Sequence, residues 1–145
     1  MYVVEAVYLE AFVHATESRS KVVRALLSLI PESLHPIIKI VEDKVKGHYG
    51  NPIRILRIMI QGGKNAEATV RYLASRLSED DKKLLSSTFE NRISADGKLY
   101  LRFDKQYASL GELRLALSED VIKVVISFRH GVSLKKVCKD LGLIL

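Results

Sequence analysis

The stretch Leu99-Tyr100-Leu101-Arg102-Phe103-Asp104 alternates strictly between apolar and polar residues. A period of two puts Leu99, Leu101 and Phe103 on one side of an extended chain and Tyr100, Arg102 and Asp104 on the other. That is the pattern of a β-strand covered on one face only. Such a strand needs neighbours along its edges and a layer over its apolar face, and the rest of the sequence supplies both. Met1 to His14 is rich in β-branched and aromatic residues, with Glu5 and Glu10 on opposite parities that a bulge reconciles. Pro36 opens a strand over Ile37 to Val45, and the turn-forming run Gly47-His48-Tyr49-Gly50-Asn51-Pro52 joins it to another over Ile53 to Ile60. Leu113, Leu115 and Leu117 alternate as well, and Glu119-Asp120 turns the chain into Val121 to Phe128.

The covering layer reads as helices. Thr16-Glu17-Ser18 offers caps and an acidic first turn to a helix carrying Val22, Val23, Leu26, Leu27 and Ile30. A second runs from Asn65 to Leu77. Ser78 caps a third whose first turn holds Glu79, Asp80 and Asp81, and Ser133 caps a last one carrying Leu134, Val137, Cys138 and Leu141. The predicted order is β-α-β-β-α-α-β-β-β-α, an α+β fold with a mostly antiparallel sheet, helices on one face and the other face free to bind. A length of 145 residues fits one domain over 1–145, with 131–145 as a basic and apolar C-terminal helix or tail.

Composition narrows the classes. The longest apolar run, Val121 to Phe128, is interrupted by Lys123 and Ser127 and falls short of the ~20 residues that span a bilayer. Met1 to Val13 lacks a basic flank and carries two glutamates, so no secretory signal is predicted. The single cysteine, Cys138, forms no internal disulfide and reads as a small core residue. These features predict a soluble, cytoplasmic protein. Net charge is +6, from 23 Lys and Arg against 17 Asp and Glu. Residues 61–97, the helical middle, balance at six basic and six acidic side chains, so the excess belongs to the strand-rich segments and the tail. Polyanionic partners follow from such a layout, although scattered solvated lysines produce the same count.

Signals for catalysis are poor, and no enzyme, cofactor or metal is expected. His14, His35, His48 and His130 stand in no metal-ligand spacing, and one cysteine cannot build a thiolate zinc site. Gly62-Gly63-Lys64 lacks P-loop spacing. Glu79-Asp80-Asp81 is explained by the helix dipole.

Two polar constellations exceed what turns and strands require. The first is Lys44, Lys46, His48, Tyr49, Asn51, Arg54 and Arg57, spread over a strand end, a turn and the next strand. Its cations suit phosphates and its rings suit unpaired bases, while its turn formers also make an ordinary hairpin. The second is Tyr100, Arg102, Asp104, Lys105, Gln106 and Tyr107, with Arg114, Lys123 and Ser127 on the polar parity of later strands. A sheet face bearing Tyr, Arg and Lys is a platform for RNA; an Arg102–Asp104 surface ion pair is the plainer alternative.

His14-Ala15-Thr16-Glu17, Gly47-His48-Tyr49-Gly50-Asn51-Pro52-Ile53, and Leu99 to Gln106 with Gly111-Glu112-Leu113 occur in that order between about Val4 and Phe128. As a set they resemble an archaeal family of predicted RNA-binding, exosome-associated proteins whose fold is like that of the ribosomal protein that binds 5S RNA. The resemblance implies a non-enzymatic RNA-binding module, an accessory to RNA processing with exosome components as further partners. It places RNA contact near His48, Tyr49, Asn51 and Arg102 to Gln106. With the basic residues read from the two constellations, the candidate site is Lys46, His48, Tyr49, Asn51, Arg54, Arg57, Arg102, Lys105 and Gln106. The competing reading is a protein-docking subunit that uses a sheet edge or the apolar tail Leu141 to Leu145. Monomer and homodimer both remain open at this point.

Overall fold

The computed structural model describes residues 2–47 and 49–145. Five strands, β1 (Val4–Val13), β2 (Ile40–Lys46), β3 (Pro52–Gln61), β4 (Lys98–Asp104) and β5 (Val121–Phe128), form one sheet in the order β2-β3-β1-β5-β4. Every pairing is antiparallel. The register shifts between Val4 and Ala6, which is the bulge that the two glutamates of β1 call for. The sheet's buried side is built from Val7, Leu9 and Ala11 of β1, Leu56 and Ile58 of β3, Leu99, Leu101 and Phe103 of β4, and Ile122, Val124 and Ile126 of β5.

Over that side lie α1 (Arg19–Leu27), α2 (Gly63–Arg76), α3 (Glu79–Thr88), the short α4 (Lys105–Ser109) and α5 (Leu134–Asp140). Side-chain caps start four of them: Ser18 Oγ accepts from Lys21 N, Ser78 Oγ from Asp81 N, Asp104 Oδ1 from Tyr107 N and Ser133 Oγ from Lys136 N. Val22, Ala25 and Leu26 of α1, Val70 and Leu73 of α2, Leu85 of α3 and Cys138 of α5 fill the core. The C-terminal tail joins it, because Leu141, Leu143 and Ile144 are buried and Leu145 N donates to Ser86 Oγ at 2.9 Å. Among the described residues no helix is long and apolar enough to cross a membrane.

The α+β class, the antiparallel sheet and the order of elements match the sequence expectation. Local differences have identifiable causes. Glu32–Ile37 is a 3-10 helix with Pro36 inside it, so β2 begins at Ile40; His35 Nε2 lies 2.9 Å from both Leu27 O and Ile30 O and holds this turn against the end of α1. The alternating leucines at 113–117 contribute one antiparallel bridge, Leu115 with Phe103, instead of a full strand. Hydrogen bonds from Asp104 N to Arg114 O and from Ala116 N to Arg102 O run along β4, and Asp81 Oδ2 takes the N–H of Leu115. This segment covers part of the β4 edge and leaves Leu117 94% exposed.

Burial pushes the Cys138 thiol up to about 12. Thiolate is the reactive form, so the native protein should give no colour with Ellman's reagent at pH 8 and one equivalent of thiol after denaturation. A fast native reaction would mean that α5 leaves the core.

Candidate nucleic-acid interface

The opposite side of the sheet carries exposed and half-buried side chains. Strand register sorts them into rows. Val41, Arg57, Glu10, Lys123 and Arg102 follow one another across all five strands. Beside them run Met59, Tyr8, Val125 and Tyr100. Phe12, Val41, Met59 and Tyr100 are exposed, an unusual concentration of large apolar groups on a sheet face otherwise ready for solvent.

The charges in the central row are not equivalent. Arg57 is committed to carboxylates: its Nε lies 3.4 Å from Glu10 Oε1, and its Nη1 pairs with Asp43. Glu10 Oε1 also accepts from the Tyr8 hydroxyl at 2.8 Å. Burial, followed by this hydrogen bond and the Glu10 charge, raises the Tyr8 phenol above its ordinary value. At the other end of the row Arg102 and Lys123 are direct cross-strand partners, both exposed, and neither forms an ion pair among the described residues. Lys123 Nζ stands 6.0 Å from the centre of the Tyr100 ring, within cation–π range. Like charges placed directly opposite destabilise a sheet by up to about 1 kcal/mol, so this pair favours an anion from outside.

A second cation pair of the same kind lies on the β2–β3 hairpin, where Lys44 is the cross-strand partner of Arg54. The hairpin projects past the end of β1, since Val13 pairs with Arg54 while Val45 with Ile53 and Lys46 with Pro52 continue beyond it. Arg54 shares the parity of Leu56 and Ile58, so this pair sits at the rim of the helix-covered face, opposite in direction to Arg57 and Arg102. Arg19 Nε donates to Glu42 Oε1 at 2.7 Å there. That hydrogen bond, helped by the charges of Arg19, Arg54 and Lys44, holds the Glu42 carboxyl below its usual range. At the tip, Gly47 N donates to Asn51 O at 2.6 Å and Tyr49 is 87% exposed. An added Cβ at Gly47 would sit 2.9 Å from Asn51 O, so the turn closes only with glycine there. His48 lies outside the described residues.

Lys105 is the correction among the sequence-predicted residues. It is 2% exposed, and its ammonium donates to Phe12 O at 2.8 Å and Glu17 Oε1 at 2.8 Å and stands 2.7 Å from Asp120 Oδ1. An ammonium has three donors, and all are used inside the molecule, so Lys105 has none for a phosphate. Asp104 is responsible, because its cap turns the chain into α4 and carries residue 105 into the interior. Gln106 stays exposed but is tied between Lys21 and Asp120, to which its Nε2 donates at 2.8 Å. Glu17 belongs to this cluster instead of a helix first turn, and His14 Nε2 lies 3.8 Å from Asp120 Oδ1. Burial alone would raise Asp120, but hydrogen bonds from Lys105 and Gln106 and the charges of Lys105 and His14 keep it below the ordinary carboxylate value. The His14–Glu17 and Asp104–Gln106 motifs thus meet as a structural tether. Among the described residues no group of three or more His, Cys, Asp or Glu side chains is placed to hold a metal.

Between the tether and the open face lies a cleft of about 390 Å³ at the corner formed by β1, β5 and β4. Phe12, Tyr100, Arg102 and Lys123 line it, with His14 and Glu119 at one end. Lys123 and Tyr100 stand on the polar parity read from the sequence. Tyr8, on the open face beside Met59 and Val125, is masked in the sequence by the bulge that breaks the β1 alternation.

Fold and surface define a small α+β protein whose open sheet face carries rings and two cations, Arg102 and Lys123, that form no ion pair among the described residues. The chain belongs to the family described as RNA binding, whose model matches residues 6–128. It is 39% identical over 124 residues to the RNA-binding protein PAB1135 of Pyrococcus abyssi, covering 83% of this chain and 79% of that one. Among solved structures, protein AF2318 of Archaeoglobus fulgidus superposes with a TM-score of 0.80 at 32% identity, covering 95% of this chain and 99% of that one. Protein SSO0741 of Sulfolobus solfataricus gives 0.77 at 31% identity, with 94% and 96% covered.

Proposed function

We propose that this protein binds RNA without transforming it, using the open sheet face and the projecting β2–β3 hairpin, and serves as an accessory to RNA processing. The observation that carries the reading is the cross-strand pairing of cation with cation, Arg102 with Lys123 on the open face and Lys44 with Arg54 at the rim of the other, which favours phosphate. Family membership and the name of the Pyrococcus relative support it. The exosome is the processing assembly that the sequence resemblance suggests as partner. Tyr49, Lys46 and Asn51 at the hairpin tip supply a second point of contact in this reading.

Fluorescence anisotropy with labelled RNA tests it. Affinity should fall steeply between 50 and 200 mM salt as counterions return to the phosphates, with a log–log slope of at least about 3 if the four paired cations and Lys46 engage. An affinity indifferent to salt, or no binding at 100 mM, sinks the proposal. Retention of exosome subunits on the tagged chain, before and after ribonuclease treatment, tests the assembly. A docking role for the β2 edge, where Val41 and Val45 are exposed, would appear as retention that ribonuclease leaves intact.

A further inference from the structure

We propose that the cleft at the β1–β5–β4 corner receives one unpaired RNA nucleotide, so that this protein selects single-stranded over double-stranded RNA. The inference rests on the RNA-binding reading above and adds the kind of RNA and the place of the base. Size is the first argument. About 390 Å³ lies within the range of small-ligand pockets, roughly 300–1,000 Å³, and is far too confined for a stacked base pair with its backbones.

Chemistry is the second argument. Phe12, Tyr100 and Val121 give the cleft its apolar lining, and the rings of Tyr100 and Phe12 offer surfaces for a base. Arg102 and Lys123 line it with positive charge that no carboxylate among the described residues pairs with, whereas Arg57 in the same row is already neutralised. Glu119 and His14 stand at one end, Asp120 is already engaged by Lys105 and Gln106, and Glu10, the cross-strand partner of Lys123 that also lines the cleft, is held by Arg57 and the Tyr8 hydroxyl. A phosphate at the Glu119 end is repelled, so the nucleotide has a direction. Its phosphate meets Arg102 and Lys123, and its base lies against Tyr100, two residues along β4 from Arg102 on the side away from Glu119. In an RNA double helix the base faces are stacked and unavailable, so a duplex reaches only the cations.

The test compares an unstructured labelled oligoribonucleotide with the blunt duplex formed by its complement, on the full chain at one salt concentration. Single-stranded RNA should bind at least tenfold tighter. Y100A should weaken it by roughly tenfold while Y100F binds as the parent does, and neither substitution should alter duplex binding. Circular dichroism of both variants distinguishes a lost ring from a lost fold, and a parallel F12L variant probes the cleft from another strand. Equal or tighter binding of the duplex, or a Y100A protein that is folded and binds normally, overturns the cleft proposal and leaves the RNA-binding reading standing. Absence of binding to either RNA removes both.

Discussion

Replacing Lys105 with Met should lower stability by about 3 kcal/mol and Tm by roughly 10 °C, the largest effect expected of any single substitution discussed for this chain. The side chain is 2% exposed, and its ammonium joins the end of β1 through Phe12 O, the loop before α1 through Glu17, and the loop before β5 through Asp120. Methionine fills the space but leaves two carboxylates facing each other without their cation. The figure sits at the low end for a broken buried pair because Asp120 is 36% exposed and keeps Gln106. Changing Asp120 to Asn as well should recover part of the loss.

Acidity separates parent from variant. The Asp120 carboxyl is held below its ordinary value of 3.8, so its contribution to stability is complete above that value and disappears as pH falls through the lower, folded-state value. The parent should therefore weaken in acid below about pH 4. Lys105→Met should instead regain stability on mild acidification, since a proton removes an uncompensated charge. Thermal melts from pH 3 to 7 check both trends. Parallel curves for the two proteins would show that Lys105 is not the cation holding the cluster.

The double substitution Arg102→Ala with Lys123→Ala should weaken RNA binding roughly a hundredfold, from two charge-assisted contacts of about 1.5 kcal/mol each. It should also lower the salt slope by about 1.4, at 0.7 per phosphate of a single strand. The same substitution should raise thermal stability slightly, because it relieves the cross-strand repulsion between these residues. Opposite signs for binding and stability mark a surface shaped for a partner, whereas a purely structural pair would lose both. Arg57→Ala provides the contrast. It frees Glu10 and Asp43, adds negative charge to the face, and should weaken binding without removing a phosphate contact.

Periodicity made the sheet legible. Leu99, Leu101 and Phe103 were readable as inward-facing from six residues, and Ser78 and Ser133 announced their helices by cap chemistry alone. Lys105 was not readable as buried, because its partners Glu17 and Asp120 are distant in sequence and a lysine beside Arg102 resembles any other surface cation. The cap at Asp104 was the available hint. Arg57 was misleading for a related reason: only the register of β3 against β1 and β2 shows Glu10 and Asp43 beside it. The leucines at 113–117 alternate truly, yet alternation describes a chain's faces and does not provide the neighbours that make a strand.

The position of β1 in the middle of the sheet also governs when the fold can close. Its one flank is filled by β3, which ends at Gln61, but the other waits for β5, with Val4 pairing with Phe128. A nascent chain emerging from the ribosome therefore carries β1 with a bare edge until β5, which ends at Phe128, has been made. Lys123 and Arg102 arrive on those late strands, so the cation pair exists only once β5 lies against β4.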